Sequence, residues 1–137
     1  MMRKHRRIPS VMMRSDDHER LAALATAARA RTPGAPLLLK KLSRATLAPT
    51  TPDGVVRMNS VVSFEYNGLS CRDMTLVFDE DTDVLAGRLS VLTPAGAMLL
   101  GMAAGEAVEW RDEAGRLSRL KVEHVSAPGR AEAENLA

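Results

Sequence analysis

Four carboxylates fall within five residues at Asp79-Glu80-Asp81-Thr82-Asp83. Carboxylates at 79, 81 and 83 mimic the start of a calcium loop, where oxygens at alternate positions converge on a hard cation. The rest of that loop is missing, because its sixth position, normally glycine, is Val84 and its twelfth, normally a bidentate Glu, is Ser90. The run reads instead as a solvated turn or an electrostatic docking surface for a basic partner, with Asp79, Glu80 and Asp81 as candidate contacts. No metal and no cofactor are expected. His5, His18 and His124 are scattered, and their spacing pairs none of them with a nucleophile. Cys71 follows a turn at the start of a strand, and no neighbour in sequence would lower its pKa. A lone cysteine also excludes an internal disulfide and any CxxC metal or redox motif. The phosphate-loop, dinucleotide, zinc-protease and nucleophile-elbow patterns are absent. These residue types describe a binding module and not an enzyme.

The elements that would position such a surface fit one domain of ordinary composition. The chain has 137 residues, 45% of them hydrophobic and 26% charged. No apolar run approaches the roughly 20 residues of a membrane span. The basic start, Met1 to Arg7, is followed by too short an apolar stretch for a secretory signal, so the cytoplasm is the expected compartment. The net charge of +2 hides a split. Residues 1–57 hold twelve Lys/Arg against four Asp/Glu, and residues 58–137 hold seven against thirteen. Opposed fields of this kind suit a nucleic-acid contact through the basic half, a large partner of mixed charge, or a plain solvated surface. The basic half has no aromatic residue on which a base could stack.

An α+β fold is expected. Ser15, Asp16, Asp17 and Glu19 signal a helix start, Leu21, Leu24, Ala25 and Ala28 recur at helical spacing, and Thr32-Pro33-Gly34 is the stop. A shorter helix from about Pro36 to Ala45 places Leu38, Leu42 and Ala45 on one side and Lys40, Lys41 and Arg44 on the polar side. Together they make a short antiparallel hairpin whose longer arm spans only about 22 Å. Residues 1–47 form this basic arm and hairpin, 48–54 a Pro/Thr-rich linker, and 55–137 a sheet domain. Strands are expected at Val55–Met58, Val61–Tyr66, Cys71–Phe78, Leu89–Leu92, Ala107–Arg111 and Arg116–His124, in an antiparallel sheet with turns at Asn67-Gly68 and Asp112 to Gly115. One short helix interrupts them, with Thr93 as N-cap, Pro94 at its first position and Gly101 beyond its end.

The segments Val55-Val56-Arg57-Met58-Asn59-Ser60, Leu89-Ser90-Val91-Leu92-Thr93-Pro94-Ala95-Gly96-Ala97-Met98-Leu99-Leu100-Gly101 and Gly105-Glu106-Ala107-Val108-Glu109-Trp110 resemble the C-terminal domain of the bacterial Gre transcript-cleavage factors. The branch known as regulators of nucleoside diphosphate kinase, which pairs that domain with a shortened hairpin, is more similar still. The likeness runs from about Ile8 to Val125. It implies an FKBP-like antiparallel sheet wrapping a short helix. It also implies docking on the secondary-channel rim of bacterial RNA polymerase, through the loop that falls on Leu92, Thr93 and Pro94. In the cleavage factors a long coiled coil enters the channel, and acids at its tip help to hold a catalytic magnesium ion. The tip expected here, Arg31-Thr32-Pro33-Gly34-Ala35-Pro36, has no carboxylate, and the arm is several turns shorter. The resemblance therefore implies a non-catalytic polymerase-binding regulator that does not stimulate cleavage and meets nucleic acid only through the polymerase. Leu92 departs from the acidic or amide residue common in the cleavage factors, and Thr93 and Pro94 suit helix capping, docking or both. The FKBP-like shape leaves a peptidyl-prolyl isomerase or peptide-binding module as an alternative, and direct nucleic-acid binding by the basic hairpin as another.

Overall fold

The computed structural model describes residues 11–49, 54–78, 82–112 and 114–127. Helix α1 (Ser15–Ala27) and helix α2 (Gly34–Ser43) form the hairpin. Ser15 is the first helical residue and not the cap: Arg14 holds the cap position without a side-chain cap bond, and Asp16 and Asp17 supply the acids that favour the positive end of the helix dipole. At the other end Arg31 Nη1 donates to the carbonyl of Ala27 at 3.0 Å. Leu21, Ala25 and Ala28 are buried on one arm, and Ala35, Leu38 and Leu42 on the other. Helix α2 begins two residues before the expected Pro36, because Gly34 is inside the helix and does not end the first one. A short strand, β1 (Met12–Met13), leads into α1 and pairs in parallel with β2 (Thr46–Leu47), which leaves α2. Two-residue strands carry no readable period, so this clip had no sequence signal.

The second half is a five-stranded sheet in the order β5-β4-β3-β7-β6. Its strands are β3 (Val61–Tyr66), β4 (Leu69–Val77), β5 (Arg88–Ser90), β6 (Ala107–Arg111) and β7 (Leu117–Ser126). Strands β3 and β6 have the expected bounds, and β4, β5 and β7 lie within two residues of theirs at each end. Two expectations are corrected. The sheet is mostly antiparallel, but β5 runs parallel to β4. The expected strand Val55–Met58 makes only one bridge, from Val55 to Ala103. It then turns: Asn59 has φ 70°, and Ser60 Oγ accepts from the Arg57 N–H at 2.9 Å. Both neighbours of β3 shift register beside Ser63. Asp73 occupies the left-handed region there, with its N–H on Ser63 Oγ at 3.0 Å, and such bulges deepen the twist of a sheet.

Helix α3 (Pro94–Leu99) packs on the inner face of that sheet. Phe64, Val108, Leu120 and Val122 from the strands are buried in one cluster with Leu92, Met98 and Leu99, and the cluster continues into Leu21, Leu38 and Leu42 of the hairpin. Among the described residues no helix is long and apolar enough to cross a membrane.

Candidate functional site

The turn from β5 into α3 is built from short-range bonds that its residue types dictate. Ser90 Oγ accepts from the Leu92 N–H at 3.0 Å, and Ser90 O accepts from Thr93 Oγ1 at 2.7 Å. Thr93 Oγ1 accepts in turn from the Gly96 N–H at 3.0 Å, the bond of an N-cap, and Pro94 takes the first helical turn, where no N–H is needed. Two glycines permit the packing around this turn. A Cβ on Gly96 would lie 2.1 Å from Ser90 O, and a Cβ on Gly34 would lie 2.1 Å from Leu92 O and 2.3 Å from the Thr93 carbonyl carbon. The start of α2 therefore rests directly on the backbone of the turn.

The three turn residues have different surroundings. Leu92 is fully buried, whereas Thr93 and Pro94 are half-buried. Thr93, Pro94 and Ala95 form one wall of a groove of about 510 Å³. Phe64, Tyr66, Cys71 and Met74 of the sheet floor it, and Thr82 and Val84 close its far side. Pro94 also borders a second hollow of about 330 Å³ against Pro33, Pro36 and Leu37 of the hairpin and Trp110 of β6. The Tyr66 and Trp110 rings stack with centroids 6.2 Å apart, which fixes the aromatic floor beside Pro94. Pro94 is thus a ridge between an apolar groove and a mixed hollow whose rim also carries Arg111, Asp112 and Arg116.

Asp79, Glu80 and Asp81 lie outside the described residues. Of the same run, Thr82 Oγ1 accepts from the Ser90 N–H at 3.1 Å, and Asp83 caps a single 3-10 turn, Val84–Ala86, by accepting from the Ala86 N–H at 3.3 Å. Those two side chains are engaged with backbone, and Val84 and Leu85 beside them are exposed. Among the described residues no three His, Cys, Asp or Glu side chains gather into a group that could hold a metal ion. His18 Nε2 lies 2.9 Å from Leu42 O, and His124 is 3.3 Å from Ser126 Oγ, so the two histidines serve separate ends of the molecule.

Burial pushes the Cys71 thiol above its ordinary pKa. It is expected to react with iodoacetamide more slowly at pH 7.5 than a free thiol, and a rate equal to that of glutathione would show that the groove wall is open around it.

Gly34's role has no local signal, because a glycine after Pro33 looks like a stop; only its place inside the first turn of a helix reveals a close approach. Lys41, expected on the polar side of α2, is fully buried. Its Nζ donates to Met98 O and Leu100 O, both at 2.6 Å, at the carboxyl end of α3. Helical phase accounts for the difference: Lys41 lies three residues after Leu38 and four before Ala45, within the apolar stripe, whereas Lys40, which is exposed, falls on the opposite face.

Residues 51–127 match the family model described as "Transcription elongation factor, GreA/GreB, C-term". The chain is 33% identical over 118 residues to the "Regulator of nucleoside diphosphate kinase" of Escherichia coli (strain K12), covering 83% of this chain and 87% of that one. The protein of the same name from Shigella flexneri matches to the same extent. Among solved structures, "Prokaryotic transcription elongation factor GreA/GreB from Nitrosomonas europaea" superposes with a TM-score of 0.63 at 35% identity, covering 87% of this chain and 99% of that one. With its sequence signature, its fold and its relatives in agreement, the chain belongs to the GreA/GreB family of transcription elongation factors.

Proposed function

We propose that this protein is a non-catalytic regulator that docks on the secondary-channel rim of bacterial RNA polymerase without stimulating transcript cleavage. The observation that carries the reading is the Thr93–Pro94 ridge: a hydrogen-bonded turn between an apolar groove and a mixed hollow, at the place where the Gre resemblance puts polymerase contact. A partner element that lies across Pro94 meets aromatic floor on one side and the proline-rich hairpin tip on the other. Leu92 contributes from beneath, by holding the turn in place. Asp79, Glu80 and Asp81 are assigned to the basic part of the partner surface, an interaction that weakens as salt rises. The acid-free tip, Arg31 to Pro36, gives occupancy of the channel mouth without cleavage. With a 13-residue α1, about 20 Å long, the hairpin stays near the mouth. The sheet with its one packed helix is read as FKBP-like in shape, and the cytoplasm, where the polymerase works, is the compartment.

The test is capture of purified core RNA polymerase, with and without excess Gre factor, by wild type and by the double variant Thr93→Ala, Pro94→Ala. Wild type is expected to bind, and the competitor to displace it. The double variant is expected to bind at least tenfold more weakly, while loss of the cap lowers stability by only about 1 kcal/mol. Wild-type binding that survives saturating competitor, or no binding at moderate salt, would reject the rim assignment.

A further inference from the structure

Lys41 is the only charged side chain in the buried set among the described residues. It belongs to α2, yet its bonds are to a helix more than fifty residues away in sequence. The carbonyls of a helix's last turn lack partners within the helix and carry its partial negative charge. At this end of α3 two carbonyls, Met98 O in its last turn and Leu100 O at its C-cap, each accept from Lys41 Nζ at 2.6 Å. The other end of α3 is entered through Leu92 and Thr93, against whose backbone Gly34 of the same helix α2 is pressed. Helix α2 therefore grips α3 at both ends, by a backbone contact at Gly34 and by a side chain at Lys41.

The bonding also suits one protonation state. A neutral amine has two N–H donors, and two carbonyls take both; an ammonium brings a third donor and a full charge into an apolar site. The neighbouring elements offer little to hold that charge. Helix α3 has no titratable side chain, and the inward-facing Ser118, Leu120 and Val122 of β7 are uncharged. On α1, His18 is turned to Leu42 O, and on α2 itself Lys40 and Arg44 are exposed. The one opposing charge felt by Lys41 is Glu106, whose Oε1 accepts from the Ala103 N–H at 2.9 Å.

We propose that Lys41 is a positioning residue acting as a proton-linked latch: it clamps the hairpin to α3 so that hairpin and Thr93–Pro94 turn move as one body, and the clamp tightens when the amine loses its proton. Burial supports this by drawing the Lys41 pKa from 10.5 to about 7, against the weaker opposite pull of Glu106. Opening the hairpin returns the side chain to water and to its ordinary pKa. Between about pH 7 and 10.5 opening therefore takes up a proton, and the opening constant falls by up to tenfold for each unit that pH rises. Below about pH 7 both states are protonated and the dependence disappears. The latch is independent of the polymerase reading; its effect on docking rests on that reading.

The experiment uses the full chain. An NMR titration of the Lys41 side chain is expected to show a midpoint near the lowered value of about 7, and a midpoint of 10 or above would overturn the proposal without need of a variant. Hydrogen exchange from pH 6 to 9.5, corrected for intrinsic rates, is expected to show α2 and residues 98–102 opening less as pH rises. Lys41→Met is expected to abolish that slope, and a slope retained in a folded variant would also overturn it. Polymerase capture then separates the two ideas. Wild type that fails to bind defeats the docking reading and leaves the latch to be judged by the titration. A folded Lys41→Met protein that opens readily yet binds as wild type does would refute the positioning role.

Discussion

Gly34→Ala is expected to destabilise the fold by about 3 kcal/mol, which for a chain of this size lowers the melting temperature by about 10 °C. The sign is opposite to the one helix propensity gives, since alanine in a helix is ordinarily better than glycine by about 1 kcal/mol. The reason is steric: the new methyl would sit 2.1 Å from Leu92 O and 2.3 Å from the Thr93 carbonyl carbon. Both atoms are backbone, so no side chain can rotate out of the way. Relief requires α2 to lift from the turn, which strains the Lys41 bonds at the far end and loosens the packing of Leu38. Urea denaturation of the variant measures it. A variant as stable as wild type would mean that hairpin and turn are not in contact in solution.

Leu92→Ala is expected to cost about 2–5 kcal/mol, the range for a buried leucine cut back to alanine in a site that cannot collapse. Leu92 is fully buried, and collapse around it is resisted by the bonded turn above and by Gly34 against its own carbonyl. The loss would appear as a lower urea midpoint with an unchanged slope. Leu92→Met, which keeps the volume, is expected to cost less than about 1.5 kcal/mol and to retain polymerase capture. If Leu92→Ala left the midpoint unchanged and abolished capture, Leu92 would be a contact residue and not a support.

What was readable in the sequence was local. Thr93 and Pro94 announce the start of α3 because a hydroxyl cap and a proline act within one turn of chain, and the structure has both where expected. The alternation of Val62, Phe64 and Tyr66 locates β3, although the bulge beside Ser63, which also buries Ser63, is invisible in that pattern. The parallel pairing of β5 could not be read, because three residues, Arg88 to Ser90, carry no direction. The same limit applies to the site. Its cap and its ridge are local and legible, whereas Gly34 and Lys41 acquire their roles from atoms between 57 and 59 residues away. Gly34 looks like any turn glycine until the far partner is in place, and for Lys41 the helical phase marks the buried stripe but not the carbonyls it meets there.

The β1–β2 clip at the root of the hairpin bears on how such factors change their reach. Met12 is paired with Thr46 and Met13 with Leu47, so the chain enters α1 and leaves α2 within one strand spacing, about 4.8 Å. Between those strands α2 is also held at Lys41 and Gly34, so only what lies beyond Gly34 at the tip is free to grow. Equal insertions into both arms at the tip would lengthen it by about 1.5 Å per residue pair and leave its root, the turn at Thr93 and the sheet where they are. Two heptads in each arm would add about 21 Å. Arm length can accordingly drift by duplication or deletion while attachment is conserved, and a lineage can exchange a deep probe for a short plug without redesigning the body that carries it.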